Sequence, residues 1–286
     1  KIVGAILADG HLKIRISKRG YHYELVLREE YKSNVDAFIK WVYDVFNLKL
    51  NVKKEDNHHY IYCSNKIIVL FLTSIIGIPS GKKVDIVSIP KLFKETSKNI
   101  KIALLQGIFM FDGGVDYATG YVSLISRSQK LIQDTEKILN DVNLEPNYVS
   151  KIADKYQRHK ILFRKEAKLK NCLVLFEPAT EKWYRLSEHF FGFKNITKDL
   201  NKLYSELDKY YPRTRKSSIT FSDVVKVVVS LRDEASLENI QNLLNRKKTT
   251  LYAYLSKLTN WGILNTTRKN LQYTWRVNET LYFPRR

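Results

Sequence analysis

The residues with the clearest chemistry are two aspartates, Asp9 and Asp112, each closing an apolar run: IVGAILADG from Ile2 and LQGIFMFDG from Leu105. In both, one glycine stands five residues before the aspartate (Gly4, Gly107) and another directly after it (Gly10, Gly113). A helix apolar on most faces must be buried, and a glycine on its contact side lets a second backbone come close. Packed side by side, two such helices bring Asp9 and Asp112 together at their C-terminal ends. Gly10 and Gly113 are then expected to take the left-handed conformation and turn the chain into the next strand. Two adjacent carboxylates repel, the helix dipole adds to the cost, and an oxygen-only site of this kind suits Mg²⁺. Divalent ions between two carboxylates and a phosphodiester assist phosphoryl cleavage, so a two-fold-like pair could cut both strands of a duplex.

The elements that must position these aspartates occur twice. After the first motif, alternating stretches at 12–19 and 21–29 around Gly20 predict a hairpin, followed by a helix over 35–46, strands near 50–54 and 60–64, and an apolar helix after Asn65. After the second come strand material at 121–126, a helix over 129–139, strands near 148–153, 159–165 and 172–176, and a helix over 181–190. This is an internal repeat, with Cys63 and Cys172 expected in matching late strands. From 212 the composition changes: the last 75 residues hold 14 Lys and Arg against 5 Asp and Glu. Helices over 221–231, 237–244 and 247–260, then an alternating hairpin at 263–267 and 271–277, predict a winged helix-turn-helix.

The chain has 286 residues with 49 Lys and Arg against 29 Asp and Glu, a net charge of +20, which points to a polyanionic partner. No apolar stretch reaches the roughly 20 residues of a membrane span, so no membrane association is expected. Two cysteines give neither a Cys-rich zinc site nor a disulfide framework, so an intracellular setting is expected, in cytoplasm, nucleoid or organelle.

On these residues the chain resembles the LAGLIDADG homing endonucleases, and its two motifs are similar to those of the single-chain members. The resemblance covers about Lys1 to Tyr211 and implies an α+β fold of two pseudo-symmetric αββαββα half-domains, 1–99 and 100–211, with 212–286 as an appended winged-helix domain. It implies site-specific double-strand cleavage of a long DNA target, short 3′ overhangs, and mobility of an intron or intein. It makes Asp9 and Asp112 the catalytic, metal-binding positions; with Gly10 and Gly113 they form the expected metal site, for two or three Mg²⁺ shared with the scissile phosphates. Leu7 and Met110 replace the motif's earlier Asp, a position the family varies. The family also places a Lys or Gln near the active site from flanking strands, and Arg127 and Arg28 are the candidates here, although acidic Glu29 and Glu30 adjoin Arg28.

For DNA contact, Lys13, Arg15, Ser17 and Arg19 alternate with Ile14, Ile16 and Lys18, giving a mainly basic strand face of the kind that enters a major groove. Lys53, Lys151, Lys160 and Arg164 extend it to other strands. In the tail, Lys247, Lys248, Thr249, Tyr252 and Lys257 occupy the polar side of the third helix, and Arg268 and Lys269 the wing tip. His58 and His59 are expected at a loop tip, since adjacent strand residues point to opposite faces and make a poor metal pair. The four tryptophans are expected in packing. Two other functions share the fold: a non-cleaving DNA-binding transcription regulator, which loss of the motif aspartates would favour, and an RNA maturase. With both half-sites in one chain, a monomer on double-stranded DNA is expected.

Overall fold

The computed structural model describes the chain except residues 19, 117–118, 179, 192–198, 212–218, 270–271 and 279–286. The chain divides into two compact units, the first from Lys1 to Trp183 apart from 117–119, the second from Tyr184 onward.

The first unit opens with α1 (Ile2–Ala8), β1 (Gly10–Ser17), β2 (Gly20–Glu29), α2 (Lys32–Phe46), β3 (Asn51–Glu55), β4 (His58–Cys63) and α3 (Lys66–Leu70), which runs into a π-helical turn at Phe71–Ile75. After the short α4 (Lys91–Lys94) the order restarts with α5 (Lys98–Phe111), β5 (Gly113–Val115), β6 (Val122–Ser126), α6 (Gln129–Asp141), β7 (Tyr148–Val149), β8 (His159–Phe163) and α7 (Glu166–Asn171). A 3₁₀ turn, Cys172–Leu175, and α8 (Glu181–Phe191) follow. Both sheets are antiparallel with the same strand order, β1-β2-β4-β3 and β5-β6-β8-β7.

Apolar residues decide which faces are covered. Leu12, Leu25, Leu27 and Ile61 of the first sheet and Val122, Leu124 and Ile161 of the second are buried, as are Val35, Phe38 and Val42 of α2 and Leu131, Ile132 and Ile138 of α6. The spacing of two in the strands, and of three and four in Val35, Phe38 and Val42 of α2 and in Leu131, Thr135 and Ile138 of α6, is the pattern each geometry needs to present one buried face. Ser128 caps α6 by accepting from the Leu131 N–H at 3.2 Å, whereas α2 starts at Tyr31 without a side-chain cap of its own.

Three expectations fail here. Residues 172–176 do not form a strand: Cys172 lies in the 3₁₀ turn while Cys63 ends β4, and both are buried free thiols. A short β5 directly follows the second aspartate, where two glycines hid the strand signal. His58 and His59 open β4 instead of forming the tip, which is Asp56 and Asn57; His59 pairs across with Glu29.

The second unit carries α9 (Leu200–Tyr210), α10 (Phe221–Leu231), a 3₁₀ turn at Arg232–Glu234, α11 (Leu237–Leu244), α12 (Lys248–Asn260) and a two-stranded sheet of β9 (Leu264–Lys269) and β10 (Gln272–Val277). Thr220 and Asp223 form a reciprocal capping box at the start of α10. Leu203, Leu207, Val224, Val228, Leu255 and Trp261 share its core. Of the four tryptophans, Trp41, Trp261 and Trp275 are buried as expected of packing residues, and Trp183 is half-buried. Helix α9 was not expected from sequence.

Candidate active site and nucleic-acid face

Helices α1 and α5 lie against each other through their glycines. A Cβ on Gly4 would stand 2.2 Å from the Leu104 carbonyl oxygen, and one on Gly107 2.1 Å from the Lys1 carbonyl oxygen, so only glycine permits this approach. Asp9 and Asp112 end the two helices with nearly the same backbone, φ −97° and ψ −7° against φ −92° and ψ −16°. The glycines that follow are not left-handed, contrary to expectation: among the described glycines, positive φ falls to Gly20, Gly77, Gly81, Gly120 and Gly262. Gly10 and Gly113 are needed for space, since a Cβ would lie 2.5 Å from Ile6 Cα and 2.3 Å from the Phe109 carbonyl oxygen.

The aspartates meet, with Asp112 donating a hydrogen bond to Asp9. Asp9 reaches solvent and Asp112 is half-buried; protein encloses both on their other sides, and this loss of water raises both carboxyls above the ordinary range. The charge of Asp9 pushes Asp112 further up. A cleft of about 570 Å³ opens beside Asp9, lined by Gly10, His11, Lys82 and Lys83.

Two lysines that the sequence reading did not single out complete the site. Lys83 Nζ donates to the carbonyls of Ile6 and Leu7, both at 2.5 Å, and of Ala8 at 3.0 Å. Lys182 Nζ donates to the carbonyls of Phe109 at 3.5 Å, Met110 at 2.5 Å and Phe111 at 3.3 Å. Each ammonium thus closes the three carbonyls just before an aspartate, satisfying helix-end acceptors and opposing the negative end of the dipole. Burial pushes Lys83 down to about 8, against the pull of Asp112 and Asp9. The available signal was positional, since each lysine follows its aspartate at a similar distance along the repeat.

Glu29 is the third acid near the pair. It is 5% exposed at the end of β2, and its Oε1 accepts the N–H groups of Glu30 and Tyr31, both at 2.8 Å. Burial raises it to about 7, opposed first by the charge of Lys182 and reinforced by that of Asp9.

Arg28 and Arg127 are each paired with an acid other than the two aspartates. Arg28 points away from Glu29 on the exposed side of the sheet, 3.8 Å from Glu55 and 5.5 Å from the Tyr60 ring centre. Arg127 pairs with Asp85 at 3.0 Å. Consecutive strand residues face opposite ways, so the position before Glu29 could not also face the aspartates.

Oxygen donors from two carboxylates fit a hard divalent ion, which commonly binds one or two carboxylates together with substrate phosphates. Gly10 and Gly113 could offer only backbone atoms. Among the described residues no group of three or more His, Cys, Asp or Glu forms a separate metal cluster.

On the first sheet, Lys13, Arg15 and Ser17 share the face opposite buried Leu12, with His22 and Glu24 across from them. Lys13 lies 3.9 Å from Glu24, and Ser17 Oγ 2.9 Å from His22 Nε2. Lys53 joins this face opposite Tyr60 and stands 3.4 Å from Glu55. In the second sheet Lys160 is half-buried on β8, while Lys151 and Arg164 are exposed outside the strands. Arg19 and the Lys269 side chain lie outside the described residues.

In the second unit Lys247, Lys248, Thr249 and Tyr252 are exposed at the start of α12, and Arg268 is exposed on β9. Lys257 is not available as a surface contact: it is 5% exposed, 3.1 Å from His189 Nδ1 and 5.5 Å from the Trp261 ring centre. Its place on the inner side of α12, beside Leu258, accounts for the difference.

No family model and no curated protein matches the chain. Among solved structures it is similar to I-DmoI in complex with DNA and Mn, at 13% identity over 62% of this chain and 94% of that one, with a TM-score of 0.48. It is also similar to the LAGLIDADG meganuclease I-AabMI bound to uncleaved DNA, at 12% identity over 65% and 87% of the two chains and a TM-score of 0.42. A third likeness is to the N-terminal LAGLIDADG domain of DUF199/WhiA, at 10% identity over 61% and 77% and a TM-score of 0.37.

Proposed function

We propose that the chain is a metal-dependent DNA endonuclease of the LAGLIDADG type that cuts both strands of a long site. The observation that carries this reading is the Asp9–Asp112 pair, hydrogen-bonded at the ends of two helices that each bear a lysine on the same three carbonyls.

Asp9 and Asp112 would hold the divalent ions, Mg²⁺ being the one proposed, shared with the scissile phosphates. When bound, the ions supply an activated water and charge neutralisation at the leaving oxygen. Asp112 must release the proton it donates to Asp9 before the pair can take a cation. Lys83 and Lys182 hold the helix ends in place and set positive charge beside the carboxylates, where phosphate oxygens would gather negative charge. The exposed face with Lys13, Arg15, Ser17 and Lys53 would lie along the groove, arginine and serine reading base edges and lysine the phosphates.

The two repeats would act as pseudo-symmetric half-domains, one per strand, in a monomer. The α10–α12 helices with the β9–β10 hairpin would form a winged helix whose Lys247, Lys248 and Thr249 add phosphate contacts. A tethered second module raises affinity through effective concentration. A regulator or an RNA maturase on the same fold is less consistent with two retained aspartates that meet.

The test is a cleavage selection on a randomised duplex library with Mg²⁺ and an EDTA control. Metal-dependent staggered cuts at a recurring long sequence, with short 3′ overhangs, are expected. Specific retention without cuts would instead mark a regulator.

A further inference from the structure

The two halves match in backbone but differ in what supports each lysine. Met110 and Leu7 stand in corresponding places, two residues before the motif aspartates, and each gives its carbonyl to a lysine at 2.5 Å. The Met110 carbonyl has a second donor, Asn34 Nδ2 at 2.9 Å. Asn34 is 1% exposed, and its side chain is close enough to Glu29 to favour the ionised carboxylate. Glu29 accepts from the backbone where β2 passes into α2. A chain of contacts therefore runs from Glu29 through Asn34 and Met110 to Lys182, joining the first repeat to the second across the helix pair.

The second repeat lacks these groups. Glu29 is the last residue of β2, paired with His59; the last residue of β6 is Ser126, paired with His159. Ser126 Oγ accepts from the Ser128 N–H at 3.2 Å and so serves its own turn. Asn34 is the third residue of α2, and the third residue of α6 is Leu131, buried and without a polar group. Among the described residues, Lys83 therefore has no relay equivalent to Asn34 and Glu29.

We propose that Glu29, acting through Asn34 and the Met110 carbonyl, is a positioning residue for Lys182 and not for Lys83, and that this makes the two strand cuts unequal. A buried amide that donates to a carbonyl and lies against a carboxylate narrows the positions open to that carbonyl, and hence to the ammonium on it. When ionised, Glu29 also adds negative charge near Lys182, which the second repeat does not supply from Ser126. The inequality of cutting rests on the endonuclease reading above; the positioning of the lysine does not.

The test combines two readouts on the full chain carrying Asn34→Ala or Glu29→Gln. The first needs no DNA: the ammonium signals of Lys83 and Lys182 in an isotope-labelled sample, assigned through Lys83→Met and Lys182→Met. Both variants should broaden or shift the Lys182 signal and leave that of Lys83 in place. Loss of both signals together, or of neither, would overturn the positioning.

The second readout is strand-resolved cutting of the recovered site. Asn34→Ala should slow, by about tenfold or more relative to the other strand, the same strand that Lys182→Met impairs. In the Lys182→Met background it should have no further strand-selective effect, whereas in the Lys83→Met background it should keep its effect. Equal slowing of both strands would mean a general structural role and overturn the inequality. Glu29→Gln keeps the volume at β2 and carries the same test if Asn34→Ala does not fold.

Discussion

Lys182 hydrogen-bonds the end of the helix that carries Asp112, yet of the two lysines it acts more strongly on Asp9; Lys83 binds the end of the Asp9 helix and acts more strongly on Asp112. Burial is the largest influence on both carboxyls, and of the two lysines the one on the other helix opposes it more strongly. The two halves cannot be separated electrostatically, and the closeness that makes this possible comes from Gly4 and Gly107.

The glycine contact gives the first prediction. Gly4→Ala or Gly107→Ala would drive a methyl group into a carbonyl of the facing helix and should destabilise the chain by about 3 kcal/mol, the upper part of the usual overpacking range. Urea unfolding of each variant measures this. A change within a few tenths of a kcal/mol would mean that the helices do not meet at these positions.

Divalent-ion binding should depend on pH with a definite sign. Both carboxyls titrate above the ordinary carboxylate range because they are enclosed, and in the free site Asp112 holds a proton against Asp9. A cation must displace that proton, so affinity should rise from the ordinary carboxylate range through neutrality, with proton release on binding. Titration calorimetry in buffers of different ionisation enthalpy measures both. Binding without proton release, at constant affinity, would contradict the shared-proton pair.

Lys248 and Lys257 lie on one helix and should behave differently. Lys248 is exposed, so Lys248→Ala should weaken DNA binding and lower the salt slope by about 0.9, the value for one lost phosphate contact. Lys257 is buried beside His189, so Lys257→Met should alter stability with the salt slope unchanged. Binding measured across a salt series separates the two. Identical slopes for wild type and Lys248→Ala would remove this helix from the DNA interface.

Glu188 is 4% exposed, and burial raises it from 4.5 to about 8, opposed by Lys257 and Arg185. Since the folded form holds the proton more tightly, this group's stabilising contribution is complete below 4.5 and is lost as pH rises to about 8. Glu188→Gln should therefore gain stability relative to wild type across that window, by up to a few kcal/mol. Denaturation midpoints at pH 4.5 and pH 8 provide the comparison. A difference independent of pH would contradict the burial effect.

The motif helices, the first hairpin and helices α10 and α11 were legible because each has a strong period and a clear end, such as Asp-Gly or a Ser or Thr cap. The meeting of Asp9 and Asp112 was legible from Gly4 and Gly107. The lysines were not, because Lys83 and Lys182 bind backbone carbonyls, and no local pattern marks a residue whose partners lie 70 or more positions away. Arg28 was a misleading candidate because its neighbour Glu29, one step along the strand, is the residue that faces inward. Residues 172–176 resembled a strand in their apolar run, a length at which periodicity does not separate strand from buried helical turn. Helix α9 carries an ordinary amphipathic spacing, Leu200, Leu203 and Leu207, and an Asp199 cap, so it was legible and was overlooked.

The most direct test of the account is cleavage of the recovered site by Asp9→Asn and Asp112→Asn, with binding measured in parallel. Each variant should lose double-strand cutting in Mg²⁺ while holding the DNA with nearly wild-type affinity. Undiminished cutting by both would contradict the paired-carboxylate site at its centre.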